Sequence, residues 1–117
     1  MSLPWEIGWH HFDYLSDNEA EHPGLGVSVA YSAPQAKMMI YAYDKTISEK
    51  IKDDPDGSAK LEYLQALSDF ESMNPDAKPL REHEEGGVRL RFYESGEILS
   101  AVLVAPFDGL FFKLRLT

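Results

Sequence analysis

Four basic side chains near the C-terminus have the spacing of a binding site for an anion. Arg89 and Arg91 form one pair and Lys113 and Arg115 the other, each pair separated by one position. That spacing places both members of a pair on one face of a strand. An apolar strand is predicted between the pairs, at Ile98–Ala105, so they should lie two strand spacings, roughly 10 Å, apart. The alternative is an ordinary solvated outer face of the sheet.

Tyrosines on an earlier predicted strand are a second set of candidate binding residues. Tyr41 and Tyr43 share one face of that strand. If that face points away from the helix, the two rings would line a ligand groove. The alternative is ordinary strand packing, with the hydroxyl groups reaching the rim of the sheet.

Histidines near the N-terminus raise the question of a metal site. His10, His11, Asp13 and His22 lie close together in the sequence. Adjacent residues of a strand point to opposite faces, so His10 and His11 are poorly placed to share one ion. We therefore expect surface histidines, and a small metal-dependent hydrolase that uses them is the alternative.

Three other segments resemble chemical motifs and fail on spacing. His83 is followed by Gly87 where a zinc-protease motif has its second histidine. The acidic run 53–57 lacks acidic ligands at the first and last positions of a calcium loop. The glycine–serine run 26–30 lies in a strand, whereas a hydrolase elbow needs a strand-to-helix turn. The sequence therefore predicts no catalytic residue, no metal and no cofactor.

These candidates are positioned by a predicted α+β fold. Alternating apolar residues predict strands near 9–15, 26–32, 37–44, 88–93, 98–105 and 110–116, with a short edge strand near 80–84. The second and third strands should form a hairpin through the turn 33–36, and Asp108-Gly109 should close another. The order is β-β-β-α-(β)-β-β-β, an antiparallel sheet of about six or seven strands with one main helix packed on one face.

The helix is predicted over about residues 59–73, with Ser58 as its N-cap after an acidic loop at 53–57. An apolar stripe recurs at every third position and should be buried against the sheet: Leu61, Leu64, Leu67 and Phe70. Asn74-Pro75 ends the helix. The basic residues are then expected on the sheet face opposite the helix.

Composition restricts the class of protein. The 117 residues suit one domain, 1–117, of which residues 1–3 are either an added leader or a native start. Without cysteine there is no disulfide or thiolate metal site. The net charge of −9 argues against a nucleic-acid partner. Residues 1–86 hold 17 acids and 7 bases, whereas residues 87–117 hold 3 acids and 4 bases, so the last third is locally basic.

Three segments carry a resemblance to a known group: Gly24–Tyr31, Tyr41–Asp44 and Gly109–Arg115. Over residues 24–117 the chain resembles a group of uncharacterised bacterial proteins, many of them exported. They share a glycine-valine-serine strand, a tyrosine-x-tyrosine-aspartate strand and a closing strand with lysine and arginine two apart. The element order is also similar to the PsbP-like sandwich, whose members act as accessory or binding proteins. The resemblance implies no catalytic residue.

We therefore expect a soluble, non-enzymatic binding or accessory module of the bacterial envelope that recognises an anionic ligand or an acidic partner. An exported or periplasmic location is slightly favoured by the resemblance, and no apolar run is long enough to span a membrane. Besides the hydrolase, the remaining alternative is a homodimeric structural domain, joined through an edge strand or the tyrosine-bearing hairpin.

Overall fold

The structure, a computed structural model, describes residues 6–7, 10–34 and 36–117, which form one antiparallel sheet with helices on one face. The strand order is β1-β2-β3-β4-β8-β7-β6-β5. The predicted α+β class, with an antiparallel sheet and one main helix, is confirmed. The elements are β1 (Glu6–Ile7), β2 (His10–Asp17), β3 (Val27–Ala33), β4 (Ala36–Tyr43), α1 (Ser48–Asp53), α2 (Pro55–Met73), β5 (Lys78–Glu85), β6 (Val88–Ser95), β7 (Ile98–Phe107) and β8 (Leu110–Leu116).

Two short elements were not predicted, and the predicted edge strand is longer than expected. The two-residue β1 raises the number of strands in the described chain to eight, and α1 precedes the main helix. The expected edge strand extends over all of Lys78–Glu85 and pairs with β6. Every residue of β5 is exposed, so no alternation of apolar residues marks its length. The possible leader, residues 1–3, and residue 9 lie outside the described residues.

Both predicted hairpins are present. β3 pairs with β4 in an unbroken register from Val27↔Ala42 to Ala33↔Ala36, although Gln35 of its turn lies outside the described residues. β7 pairs with β8, and the two turn residues Asp108 and Gly109 both have positive φ. A two-residue hairpin turn of that type requires this conformation at both positions, which is why Asp-Gly is found there.

The main helix begins four residues earlier than predicted. Asp54 is the N-cap, its side chain accepts from the backbone N–H of Gly57, and Pro55 occupies the first turn. Proline suits that turn because its missing N–H would have no helical partner. The predicted N-cap Ser58 is inside the helix and buried, so the acidic loop expected at 53–57 is instead the junction of α1 and α2. Asn74 ends the helix as predicted.

The buried face of α2 differs from the predicted stripe. Leu61 and Leu64 are 63% and 52% exposed, whereas Tyr63, Ala66, Leu67 and Phe70 are buried. Every-third spacing drifts around a helix of 3.6 residues per turn, so Leu61 and Phe70 lie about two and a half turns apart, on opposite sides. The stripe prediction is therefore right for Leu67 and Phe70 and wrong for the two leucines before them.

The core lies between α2 and the C-terminal strands. Phe70 packs on Tyr93 with ring centroids 4.5 Å apart, above the fully buried Val102 and Val104. Ile51 of α1 packs beside Tyr43 and Phe111. We call the sheet face under the helices the covered face and the other the open face. Neither helix of the described chain combines the length and apolar character needed to cross a bilayer.

Candidate functional site

All four predicted basic residues lie on the covered face. Alternation along β6 places Arg89 and Arg91 on the same side as the core residue Tyr93. Along β8, Lys113 and Arg115 share the side of the buried Phe111. The expectation that these residues lie opposite the helix is therefore wrong. Long basic side chains can flank a helix, with their stems packed and their charged ends at its margin.

The predicted spacing of the two pairs is confirmed by the strand register. Arg89 is level with Val104, which is level with Lys113. One step along, Arg91 and Arg115 are level with Val102. The two pairs thus flank β7. Because α2 packs over the two buried valines, it lies between the two basic pairs.

The two arginines of β6 are already paired with carboxylates. Arg89 is buried, and its Nη2 lies 3.0 Å from Asp56 Oδ1 and 3.3 Å from Glu84 Oε1. Arg91 Nη2 donates to Glu82 Oε2 at 3.0 Å. Tyr63 also donates to Glu82, and this hydrogen bond, followed by that from Arg91, lowers the pKa of the Glu82 carboxyl. Both guanidinium groups therefore connect β6 to its surroundings and are poorly available to a ligand.

The two basic residues of β8, unlike those of β6, contact aromatic rings. Lys113 Nζ lies 4.7 Å from the centroid of the Tyr41 ring and 5.5 Å from that of Tyr43, and the Arg115 guanidinium lies 5.4 Å from that of Phe70. Within the described chain, neither forms an ion pair within 4.0 Å. Aromatic faces attract cations, but they do not neutralise the charge.

Burial lowers the pKa of the Lys113 ammonium below its usual value. Glu62 and Asp69 act in the opposite direction through their charge, and Arg115 lowers the pKa further. The net result is a cation held where its charge is poorly compensated. An additional negative group beside it would favour the protonated form.

Glu62 is the buried acid of this region. It lies on the inward side of α2, accepts a hydrogen bond from the Tyr43 hydroxyl, and lies 2.5 Å from Lys45 Nζ. Burial, together with the hydrogen bond to Glu62, raises the pKa of Tyr43 well above its ordinary value of 10.0. Each carboxylate oxygen thus has a donor, as a buried charge requires.

A turn of positive φ positions Lys45. Lys45 and Thr46 both have positive φ, and Lys45 N donates to the carbonyl oxygen of Gly24 at 2.8 Å. A Cβ at Gly24 would lie 2.9 Å from the Lys45 backbone. The close approach of the two backbone segments therefore needs glycine at position 24. This contact joins the β2–β3 loop to the end of β4.

These side chains surround a cleft of about 280 Å³ between α2 and the β4–β8 pair. Three predicted site residues, Tyr41, Tyr43 and Lys113, lie in its wall. The groove prediction required the two tyrosines to face away from the helix, and they face the helix instead. The remaining lining residues are Asn18, Leu25, Lys45, Glu62 and Asp69.

Four polar residues of the cleft were not predicted from the sequence: Lys45, Glu62, Asp69 and Asn18. A signal for Glu62 was present, because at 3.6 residues per turn it shares a face with the buried Ala59, Ala66 and Tyr63. A single acid on an apolar helix face needs buried partners. For Lys45 and Asn18 no local pattern exists, since loop contacts bring them to the cleft.

The N-terminal histidines are not brought together. His10 and His11 occupy successive positions of β2, and Asp13 accepts from the Ser32 hydroxyl at 3.0 Å. Within residues 6–7, 10–34 and 36–117 no group of three or more potential ligands surrounds a common point. The metal-dependent hydrolase therefore gains no support from this arrangement.

Comparison of the chain with protein-family models, curated proteins and solved structures finds no match in any of the three. The likeness to the bacterial group and to the PsbP-like sandwich thus stays a resemblance.

Proposed function

We propose that this protein is a binding module whose cleft between α2 and the β4–β8 pair takes a small organic anion, with Lys113 as the anchoring cation. The observation that carries the proposal is the state of Lys113. It is half-buried in the wall of a cleft, stacked on two tyrosine rings, and forms no ion pair within 4.0 Å in the described chain. An anionic group would supply the missing countercharge.

The size and lining of the cleft limit the ligand. A volume of about 280 Å³ is at the lower end of small-molecule sites. Asp69 and Asn18 also line the cleft and accept hydrogen bonds. We therefore expect a compact anion that also carries donors, such as a hydroxy acid or an amino acid.

An acidic macromolecule is a poorer fit than a small anion. Such a partner would need several free cations on one surface, and both arginines of β6 are occupied by Asp56, Glu84 and Glu82. The high negative charge of the chain adds long-range repulsion. A location in the bacterial envelope is part of the proposal only through the resemblance described above.

The test is a titration of the ¹⁵N-labelled protein with glycolate, glycine, acetate and inorganic phosphate, followed by amide NMR. We expect at least one of the donor-bearing anions, glycolate or glycine, to cause saturable shifts at Tyr41, Tyr43 and Lys113. Lys113→Gln should weaken that binding at least about tenfold, because a charge-assisted hydrogen bond is lost. The matched control Arg91→Gln should leave it unchanged.

Two results would contradict the proposal. One is that no probe saturates. The other is that a probe saturates with the same affinity in Lys113→Gln as in the wild type. A folded variant, judged by retained dispersion of its amide spectrum, is required for the second comparison.

A further inference from the structure

Charged side chains of both signs line the cleft between α2 and the β4–β8 pair. Two are basic and two are acidic: Lys45, Lys113, Glu62 and Asp69. Lys45 and Glu62 neutralise each other, because Lys45 Nζ lies 2.5 Å from Glu62 Oε1. The other oxygen of Glu62 accepts from the Tyr43 hydroxyl. The charges that remain for a ligand are therefore those of Lys113 and Asp69.

Asp69, like Lys113, lacks a partner of opposite charge. Within the part of the chain that the structure describes, neither residue forms an ion pair within 4.0 Å. Lys113 Nζ and the Asp69 carboxylate thus lie more than 4.0 Å apart, although both line one cleft. Burial lowers the pKa of Lys113, and the negative charges of Glu62 and Asp69 oppose that shift. The charge of Asp69 therefore acts on Lys113 without a direct contact.

The two unpaired charges belong to opposite walls of the cleft, Lys113 to β8 and Asp69 to α2. The rings of Tyr41 and Tyr43 contact the Lys113 ammonium on its side. On the other side, the side-chain amide of Gln65 donates to Asp69 Oδ1 at 2.8 Å. A carboxylate has two acceptor oxygens, so Asp69 can accept further hydrogen bonds beside that one.

One cation and one anion on opposite walls fit a ligand that has both charges. A simple carboxylate bound at Lys113 would meet the negative charge of Asp69. A hydroxy acid would supply a donor for Asp69 but would leave that charge uncompensated. An ammonium group beside the carboxylate would supply a donor and a countercharge together. An α-amino acid is zwitterionic at neutral pH and has both groups on one carbon atom.

We propose that this cleft binds a small zwitterionic α-amino acid, with the carboxylate at Lys113 and the ammonium group at Asp69. The inference rests on the anion site proposed above and selects one ligand class within it. Asp69 is the specificity-determining residue, because it separates an amino acid from a hydroxy acid of the same size. The cleft volume of about 280 Å³ restricts the ligand to small amino acids.

The test compares three probes at neutral pH: glycine, glycolate and glycinamide. Glycolate has a hydroxyl group in place of the ammonium group, and glycinamide has an uncharged amide in place of the carboxylate. Amide NMR titrations of the ¹⁵N-labelled protein give the three affinities. Glycine should bind about tenfold more tightly than glycolate, because its hydrogen bond to Asp69 joins two opposite charges. Glycinamide should bind more weakly than glycine, because it provides no negative charge for Lys113.

The matched variants are Asp69→Asn and Asp76→Asn, which remove the same charge inside and outside the cleft. Asp76 is exposed and is not part of the cleft wall. Asp69→Asn should reduce the preference for glycine over glycolate to less than about twofold, and Asp76→Asn should retain it. Asparagine keeps an acceptor oxygen for Gln65, and retained dispersion of the amide spectrum shows that the variant is folded.

The outcomes separate this inference from the anion site on which it rests. Equal affinities for glycine and glycolate, both bound at Lys113, would overturn the amino-acid site and leave the anion site intact. A glycine preference that persists in Asp69→Asn would also overturn it. Failure of all three probes to saturate would overturn both proposals.

A titration of Lys113 in the free protein, observed at its ¹³Cε, provides a readout that needs no ligand. The pKa of Lys113 should be lower in Asp69→Asn than in the wild type, because an opposing negative charge is lost. The Asp76→Asn variant should leave this pKa unchanged. An equal pKa in Asp69→Asn and the wild type would show that the two charges do not act on one ligand site, and would overturn the inference.

Discussion

The Lys113 ammonium lies 4.7 Å from the centre of the Tyr41 ring, directly across the β4–β8 pair. This contact brings together two residues that are 72 positions apart in the sequence. The strand register makes it possible, since Tyr41 and Lys113 are paired at the Cα level. The rings of Tyr41 and Tyr43 hold the ammonium at the cleft, where it forms no ion pair within 4.0 Å in the described chain.

The buried face of α2 can be tested with a matched pair of leucines. Leu67→Ala should lower the free energy of unfolding by about 2–5 kcal/mol, because Leu67 is buried against Tyr93 and Val102. Leu61→Ala should change it by less than about 0.5 kcal/mol, because Leu61 is 63% exposed. Urea unfolding of the two variants measures the difference. Similar losses in both would show that the helix presents a different face to the sheet.

The ion pairs of Arg89 should be strongly coupled. Its side chain is 6% exposed, whereas Asp56 and Glu84 are 71% and 62% exposed. Asp56→Asn and Glu84→Gln should each cost little, since one carboxylate remains in each variant. The double variant leaves a buried guanidinium without a countercharge. Its loss in free energy of unfolding should be about 1–3 kcal/mol larger than the sum of the two single losses.

Arg91 provides the control for that cycle. Its side chain is 25% exposed and faces Glu82 and Glu71. The stability lost in the double variant Glu82→Gln/Glu71→Gln should exceed the sum of the two single losses by a smaller amount than in the Arg89 cycle. The reason is that solvent replaces the lost charge at the more exposed Arg91. Additive losses at Arg89 would contradict a buried, doubly paired guanidinium.

Alkaline pH should destabilise the protein through Tyr43. Its pKa is raised by burial and by the hydrogen bond to Glu62, so above pH 10 the unfolded chain loses a proton that the folded chain keeps. The stability from this group is complete below pH 10 and declines as the pH rises further. Tyr43→Phe should make that decline shallower, by at most about 1.4 kcal/mol per pH unit.

The measurement is urea unfolding between neutral pH and about pH 11, for the wild type and Tyr43→Phe. Tyr63, whose pKa is also raised, and Lys113, whose pKa is lowered, are present in both proteins. The difference between the two curves therefore reports Tyr43. Parallel curves above pH 10 would contradict a raised pKa of the buried Tyr43 hydroxyl, which donates to Glu62.

Strand periodicity and turn residues predicted most of the sheet, because alternation and Asp-Gly chemistry are local properties. The face of α2 was predicted poorly, because an every-third stripe was extended through Leu61 and Leu64 although a helix turns every 3.6 residues. The orientation of Arg89 was missed for another reason. A basic residue on a strand is predicted to face solvent, whereas Asp56, 33 positions earlier, compensates the burial of Arg89.

The candidate site was likewise predictable only where it depends on local sequence patterns. Tyr41, Tyr43 and Lys113 were identified from strand spacing, and the register places them together. Lys45 reaches the cleft through a turn of positive φ that contacts Gly24, which is a tertiary contact without a local signature. The cleft as a whole depends on how α2 lies over β4 and β8, and spacing within single elements contains no information about that.

The most direct test of the anion site is the titration of the Lys113 side chain by NMR, observed at its ¹³Cε, with and without a saturating anion probe. In the free protein the pKa should be below the ordinary lysine value of 10.5, because burial disfavours the charge. An anion bound at Lys113 favours the protonated form, so the pKa should rise on binding. A pKa that stays the same or falls at saturation would contradict the account.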